Sequence, residues 1–259
     1  MSTYTVLFLG DVVGRPGRKA VELGLSSLKQ TYNPLFTIIN GENSAGGVGI
    51  TPGIANELFH WGADAITLGN HAFNKREIEG FLDSCDRIVR PANMPASVPG
   101  KGLIHVDKDG IDLAVMNICG RVFLESYDDP FACLDRLLEP LETPHRFLDF
   151  HGEATSEKIA MGYHCEGRVS AVVGTHTHVQ TADERVLDGG TAYITDVGMT
   201  GPVNSVLGMD REVILKRFQT TLPQKFQVAE EEGVICGVAL DVERLSGRAT
   251  RIERIRFAP

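Results

Sequence analysis

The chain has 259 residues, of which 42% are hydrophobic, and its net charge is −9. This length and apolar content suit one domain covering residues 1–259, because no stretch rich in proline, serine or charge divides the chain. The apolar runs are far shorter than the ~18 residues of a membrane span. The basic residues are scattered among acids, which argues against broad binding to a nucleic-acid duplex.

The start of the chain and its cysteines predict the cellular compartment. The first residues lead directly into an apolar strand, without a basic region or a small-residue cleavage site, so we expect no signal peptide. The five cysteines lack C-x-x-C spacing and are odd in number, as is typical of buried, reduced thiols. Both features predict a cytoplasmic protein.

Short apolar segments that stop at a polar tip recur along the chain. They are residues 5–9 before Gly10-Asp11, residues 36–40 before Gly41-Glu42-Asn43, residues 65–68 before Gly69-Asn70-His71, residues 147–150 before His151, and residues 169–173 before Gly174-Thr175-His176-Thr177-His178. Each segment is too short for a helix and is typical of a central strand covered on both faces. The tips should therefore meet at one edge of an α/β sheet, where ligands bind.

Two glycine-rich stretches lie close to the first two tips. Gly10, Gly14 and Gly17 are spaced G-x-x-x-G-x-x-G, which differs from the G-x-G-x-x-G of a dinucleotide-binding loop, so we reject that function. The loop of residues 44–49 contains three glycines. Its backbone either approaches a ligand closely or only connects two elements, and both interpretations stay open.

The second half of the chain begins with an antiparallel section. Lys108-Asp109-Gly110 predicts a hairpin between strands at residues 102–106 and 111–117. Arg121 follows a strand end and is either near the site or a surface salt-bridge residue. Residues 197–209 form a long loop that we predict to border the substrate. The strands within residues 227–257 look like a second antiparallel sheet.

The polar tips together supply a set of metal ligands. The candidates are Asp11, Glu42, Asn43, Asn70, His71, His151, His176 and His178. Oxygen and imidazole donors without a thiolate suit Fe, Mn or Zn better than Ca or Mg alone. His176 and His178 lie two residues apart, so in a straight strand both would face one side and reach one cluster.

In order and composition these blocks resemble the calcineurin-like binuclear metallophosphoesterases, and in particular the YmdB branch of bacterial phosphodiesterases. The similar segments are Gly-Asp-Val-Val-Gly from Gly10, Asn-Gly-Glu-Asn-Ser-Ala-Gly-Gly from Asn40, Leu-Gly-Asn-His-Ala-Phe from Leu68, His-Gly-Glu-Ala-Thr-Ser-Glu-Lys from His151 and Gly-Met-Thr-Gly-Pro from Gly198. Val13, Glu42 and Ala72 depart from the broad superfamily pattern, but the YmdB branch shares these departures.

The resemblance implies an α/β fold of two mixed β-sheets packed face to face, with helices on the outer faces. It implies two metal ions, Fe or Mn, bridged by Glu42. One ion is held by Asp11, Glu42, Asn43 and His178, and the other by Glu42, Asn70, His151 and His176. In this assignment His71 is the catalytic proton donor, and Asn43 replaces the histidine that is missing from the first block.

The implied activity is hydrolysis of a phosphodiester by a metal-bound water or hydroxide. The resemblance points to 2′,3′-cyclic nucleotides, with 3′,5′-cyclic nucleotides as further candidates, and metal charge would attract such anions to an acidic protein. Two alternatives stay open: a phosphomonoesterase of the same superfamily, and a metal-stabilised regulatory protein with little turnover. The sequence also leaves open whether the chain forms a homo-oligomer.

Overall fold

The computed structural model describes residues 2–259, which form thirteen strands and six α-helices. The strands are β1 (Thr3–Leu9), β2 (Phe36–Asn40), β3 (Ala65–Thr67), β4 (Ile88–Val89), β5 (Leu103–Lys108), β6 (Ile111–Cys119), β7 (Arg146–His151), β8 (Ala171–Thr175), β9 (Arg185–Val186), β10 (Ala192–Ile194), β11 (Gly201–Pro202), β12 (Gly233–Glu243) and β13 (Ala249–Phe257). The helices are α1 (Gly14–Tyr32), α2 (Pro52–Trp61), α3 (Glu79–Ser84), α4 (Pro130–Leu138), α5 (Thr155–Cys165) and α6 (Arg211–Thr220), and a 3₁₀ turn (Arg76–Ile78) precedes α3.

The strands form two mixed sheets. In sheet 1 the order is β13-β12-β1-β2-β3-β4, with the short β11 also paired to β12. Strands β1 to β4 are parallel, and β12 runs antiparallel to β1. In sheet 2 the order is β5-β6-β7-β8-β10-β9, with β6, β7, β8 and β10 parallel and the two edge strands antiparallel.

The two sheets pack face to face over an apolar core. Alternate residues of β1, such as Val6 and Phe8, lie in the same buried cluster as Val115 and Phe147 of sheet 2. The ring centroids of Phe8 and Phe147 are 5.3 Å apart. Successive side chains of a strand point to opposite faces, so the other β1 side chains, including Leu7, point outward against the helices.

Helices cover the outer face of each sheet. Val21 and Leu25 of α1 pack against sheet 1, whereas Leu134 of α4 and Met161 of α5 pack against sheet 2. The resulting order of layers is helix, sheet, sheet, helix, which confirms the predicted fold class. Among the described residues, no helix has the length and apolar character needed to cross a bilayer.

Several predicted elements lie where the sequence places them, and the last strands also lie in the predicted segment but join a different sheet from the one predicted. The predicted hairpin is confirmed, because Asp109 and Gly110 both have the positive φ, 49° and 74°, that its tight turn requires. The prediction of a second antiparallel sheet near the end of the chain is wrong. Instead, β12 pairs with β1 from Thr3↔Glu243 to Leu9↔Gly237, and this pairing covers an edge of sheet 1 that would otherwise expose unpaired backbone groups.

Candidate metal centre

The ends of strands from both sheets meet at one place, where the structure brings together the seven residues that the resemblance names as ligands. Sheet 1 contributes Asp11 after β1, Glu42 and Asn43 after β2, and Asn70 after β3. Sheet 2 contributes His151 from the end of β7, with His176 and His178 after β8. All are buried or partly buried. The predicted set is therefore a spatial cluster built from both sheets.

One half of the cluster surrounds His151. Its Nε2 atom lies 3.1 Å from Glu42 Oε1, 3.0 Å from Asn70 Oδ1 and 3.0 Å from His176 Nδ1. Among the described residues, donor atoms of Glu42, His151 and His176 all lie within 4.8 Å of one another. This spacing suits a single bound ion contacted by all three side chains.

The other half surrounds His178. Its Nε2 atom lies 3.1 Å from Asn43 Nδ2 and 4.0 Å from Asp11 Oδ1. Asn43 Nδ2 is also 2.9 Å from Glu42 Oε1, so this one carboxylate oxygen contacts both halves. A half-turn of the Asn43 amide would place its oxygen, which can bind a metal ion, where the nitrogen now lies.

Each histidine has its second ring nitrogen occupied by an oxygen. Nδ1 of His151 is 2.8 Å from the Thr175 hydroxyl, which itself donates to Asp149, so the imidazole must be the donor to Thr175. His178 Nδ1 donates to the Leu207 carbonyl at 3.0 Å. His176 Nε2 lies 3.1 Å from a Glu153 oxygen. Such bonds select the tautomer whose other nitrogen is free to bind a metal ion.

In this tautomer, hydrogen-bond acceptor atoms of the candidate ligands face one another without a donor between them. A neutral His151 has no proton on Nε2, and that atom faces oxygens of Glu42 and Asn70 at hydrogen-bond distance. Asp11 Oδ1 is also buried and has no hydrogen-bond partner within residues 2–259. Buried acceptors without donors are costly, and a cation between them removes the cost. The donor set therefore fits a divalent metal ion.

The pKa values of the protein alone reflect the same excess of negative charge. Burial lowers the pKa of His151, but the carboxylates of Glu42 and Asp11 outweigh burial and hold it at about 9. Burial raises the pKa of Glu42, but His151 and the His71 backbone N–H outweigh it and bring it to about 2. Burial dominates for Asp11 and raises its pKa. Without a metal ion, a proton on His151 supplies the positive charge that the neighbouring carboxylates favour.

Gly69 allows the two sheets to approach at this point. A Cβ atom on residue 69 would lie 2.2 Å from Glu42 Oε2 and 2.5 Å from His151 Nε2. Such distances are far below normal contact, so the two ligands occupy space that only glycine leaves free. Glycine at position 69 is thus required for Glu42 and His151 to come this close together.

The turn that carries His176 and His178 is not the straight strand assumed from their spacing. Both residues have positive φ, 98° and 66°, so the backbone leaves the strand direction and sends each imidazole to a different half of the cluster. Buried Asp196 holds the turn by accepting bonds from Thr177 N at 3.0 Å and Thr177 Oγ1 at 2.7 Å. The buried Lys158 ammonium lies 2.6 Å from the same carboxylate.

A buried carboxylate beneath the centre was missed by the sequence reasoning. Asp149 of β7 accepts hydrogen bonds from Asn40 and Thr67 of sheet 1 and from Thr175 of sheet 2. Burial nevertheless dominates and raises the pKa of Asp149 to about 6. The available signal was a charged residue inside the otherwise apolar segment Phe147-Leu148-Asp149-Phe150. This residue joins the two sheets and fixes the Thr175 hydroxyl that orients His151.

His71 stands beside the cluster without belonging to it. Its backbone N–H donates to Glu42 Oε2 at 3.2 Å, whereas its partly exposed imidazole forms no hydrogen bond or ion pair within residues 2–259. The neighbouring Asn70 points its oxygen at His151 instead. An unengaged imidazole next to an ion site is free to contact a bound substrate.

Two loops border the centre. The predicted loop of residues 197–209 contacts ligands directly, because Leu207 bonds to His178 and Thr200 N donates to the Asp11 carbonyl at 2.9 Å. The loop therefore supports two of the candidate ligands, His178 and Asp11. On the other side, Arg121 is exposed and lies 3.6 Å from Asp129, so it is a salt-bridge residue on a loop at the same edge.

Comparison with known proteins identifies the family. The model of the YmdB-like protein family matches residues 7–255, which is nearly the whole chain. The chain belongs to the YmdB-like family. Its YmdB-like relatives include the 2′,3′-cyclic-nucleotide 2′-phosphodiesterase of Bacillus subtilis (strain 168), which is 55% identical over 252 residues and 96% of each chain.

Two solved structures share both fold and sequence with this YmdB-like chain. A hypothetical protein from Thermus thermophilus is 41% identical, with a TM-score of 0.91 over 98% of this chain and 100% of the other. A structure described as a novel phosphatase from Mycoplasma pneumoniae is 32% identical, with a TM-score of 0.94 over 99% of this chain and 94% of the other. This YmdB-like chain therefore shares its two-sheet architecture with both solved structures.

Proposed function

We propose that this chain is a metal-dependent phosphodiesterase that hydrolyses 2′,3′-cyclic nucleotides. The observation that carries the proposal is the set of acceptors around His151 Nε2, which needs a cation and has the unengaged His71 beside it. The name and the 55% identity of the Bacillus subtilis relative support this substrate class. 3′,5′-Cyclic nucleotides are further candidate substrates of the same site.

We further propose that the centre holds two ions, iron or manganese, bridged by Glu42. The ligands would be Asp11, Glu42, Asn43 and His178 for one ion, and Glu42, Asn70, His151 and His176 for the other. The position of Glu42 Oε1 supports the bridge, because it lies 3.1 Å from His151 Nε2 and 2.9 Å from Asn43 Nδ2.

The bridge predicts the behaviour of Glu42→Gln. Removing one negative charge shared by both ions should weaken both sites together, as measured by elemental analysis and by metal titration of the stripped protein. A variant that keeps two ions with unchanged affinity would contradict the bridge.

The reaction needs a proton at the leaving oxygen. When bound, the ions supply positive charge for the phosphate and lower the pKa of a water molecule. The water loses one proton to bulk solvent and its oxygen bonds to phosphorus, the bond from phosphorus to O2′ breaks, and protonated His71 gives its proton to O2′, so that the products are a 3′-phosphate and a 2′-hydroxyl. His71 suits this role because its imidazole has no partner within residues 2–259 and follows Asn70 directly.

A pair of model substrates tests the proposed reaction. Protein purified without added metal should contain metal, should hydrolyse 2′,3′-cyclic nucleotides, and should prefer bis-p-nitrophenyl phosphate to p-nitrophenyl phosphate. The opposite preference would indicate a phosphomonoesterase, which the description of the Mycoplasma pneumoniae structure makes the second candidate. Metal without turnover on any of these esters would instead favour a regulatory protein.

We also propose that the chain forms one catalytic domain that acts in the cytoplasm on small phosphodiesters. The free cysteines support a reducing compartment, since Cys119, Cys133, Cys165 and Cys236 are buried as thiols and Cys85 is partly buried. Size-exclusion chromatography with light scattering would determine whether the domain works as a monomer or a homo-oligomer.

A further inference from the structure

The loop that follows β6 lies at the same edge as the metal centre. Cys119, the last residue of β6, pairs with His151 in the parallel register of the two strands. The N–H of Gly120 donates to the His151 carbonyl at 2.9 Å. Three further residues of chain span at most about 11 Å, so Phe123 remains near this edge. We call residues 120–124 the β6 loop.

The backbone of the β6 loop is held from below by α5. The buried Glu157 carboxylate accepts bonds from the N–H of Arg121 at 3.0 Å and the N–H of Val122 at 3.2 Å. Gly120 permits this approach, because a Cβ there would lie 2.4 Å from Glu157 Oε2. Asn93 also donates to the Cys119 carbonyl at 2.7 Å. The first half of the loop, residues 120–122, is therefore held in place beside the strand end that carries His151.

Phe123 is the unusual residue of this loop. Its φ is 63°, a conformation that a residue with a bulky side chain rarely adopts. Its side chain is also 86% exposed, so packing within the chain does not account for its orientation. Backbone strain of this kind persists where surrounding contacts impose it, and it is found preferentially at ligand sites.

We propose that Phe123 is the residue on which the base of a cyclic nucleotide stacks. This inference rests on the proposed function, which places the phosphodiester at the ions and leaves the nucleoside to extend toward the rim. Every nucleobase has a π-face, so an exposed phenyl ring on a fixed loop binds bases without reading their hydrogen-bonding groups. The site would accept several bases and would favour purines, which stack over a larger area.

The test compares substrates with and without a base. Adenosine 2′,3′-cyclic phosphate and glycerol 1,2-cyclic phosphate share the five-membered cyclic diester, and only the first has a base. Phe123→Ala should raise KM about tenfold for the adenosine ester, with kcat near wild type and no change for the glycerol ester. Phe123→Trp should restore KM. The dissociation constant of adenosine 3′-phosphate, measured by calorimetry, should rise in parallel with KM.

A matched variant and the metal content complete the experiment. Phe218→Ala removes another phenyl ring, 76% exposed on α6, and should leave both substrates unchanged. All variants should retain wild-type metal content. Equal effects of Phe123→Ala on both substrates, or no effect on either, would overturn the stacking role. If the wild-type protein hydrolysed neither cyclic ester, the proposed function would fail instead.

Discussion

His71 differs from the predicted ligands because its imidazole is not hydrogen-bonded to them. We predict that His71→Ala retains its metal while kcat for a 2′,3′-cyclic nucleotide falls about 10²- to 10⁴-fold, the usual contribution of a general acid. The leaving oxygen of a ribose ester is a poor leaving group without a proton. Steady-state kinetics and elemental analysis on the same preparation check both parts.

The leaving group provides the control for His71. A p-nitrophenyl ester expels a stable anion that barely needs protonation. His71→Ala should therefore lower kcat less for this ester than for the 2′,3′-cyclic nucleotide. Equal losses on the two substrates, or a loss of metal, would show that His71 only supports the ligands.

Gly69 gives a second prediction for a single residue. Gly69→Ala should remove most metal binding, because the new methyl group would collide with both Glu42 and His151. Gly80→Ala is the matched control, since nothing lies within 4 Å of a Cβ there, and in α3 it should leave stability unchanged or raised by up to about 1 kcal/mol. Metal titration of the two purified variants compares them; similar affinities would contradict the packing argument.

The candidate ligand residues could be picked out because their types and positions are local in the sequence. An Asp, Asn or His directly after an apolar strand and a glycine is visible without any knowledge of the fold. Asp149 and Glu157 were not predictable in the same way, since their partners lie far away in sequence: Asn40 and Asp149 are 109 residues apart. The sequence therefore predicts which groups can bind metal, whereas the residues that orient them depend on tertiary contacts.

At the scale of elements, the turn between β8 and β9 needs support from neighbouring residues, because His176 and His178 in it both have positive φ. Lys158→Met should leave the Asp196 carboxylate buried without its cation, at a cost of about 3–5 kcal/mol in the free energy of unfolding. Loss of this support should also weaken metal binding through His176 and His178. Urea unfolding and metal titration of the stripped protein measure the two effects.

The exposed pair of Lys19 and Glu22 on α1 serves as the control for this variant. Its Nζ–Oε2 distance is 2.9 Å, but both side chains are largely exposed, so Lys19→Met should change stability little. If Lys158→Met lowers stability while metal affinity stays at the wild-type value, the buried pair stabilises the fold without positioning the ligands.

The predicted elements show where local patterns suffice. Residues 36–40 have the predicted bounds because an apolar run and a following glycine define them locally. The strands within residues 227–257 were also predicted, but the sheet that they join was not. These strands could have joined the edge of either sheet, and only the unpaired edge of β1 decides between the two.

At the scale of the whole molecule, the metal centre links the two sheets. Removing metal with a chelator should lower the melting temperature, because buried carboxylates and imidazoles from both sheets would face one another without a cation. Free ion at 100 times its dissociation constant would stabilise the protein by about 2.7 kcal/mol. Thermal unfolding with chelator, and then with excess metal restored, measures this linkage; identical melting temperatures would contradict it.

The pairing of β1 with β12 also sets the order in which a newly made protein can mature. A ribosome that has reached residue 178 has already made every proposed ligand, yet the strand that carries Asp11 still lacks its neighbour at residues 233–243. The N–H of Gly10, next to Asp11, is bonded to the Cys236 carbonyl at 2.9 Å. We therefore predict that metal loading follows the synthesis of β12, and that a nascent chain stalled before residue 233 acquires its ions poorly.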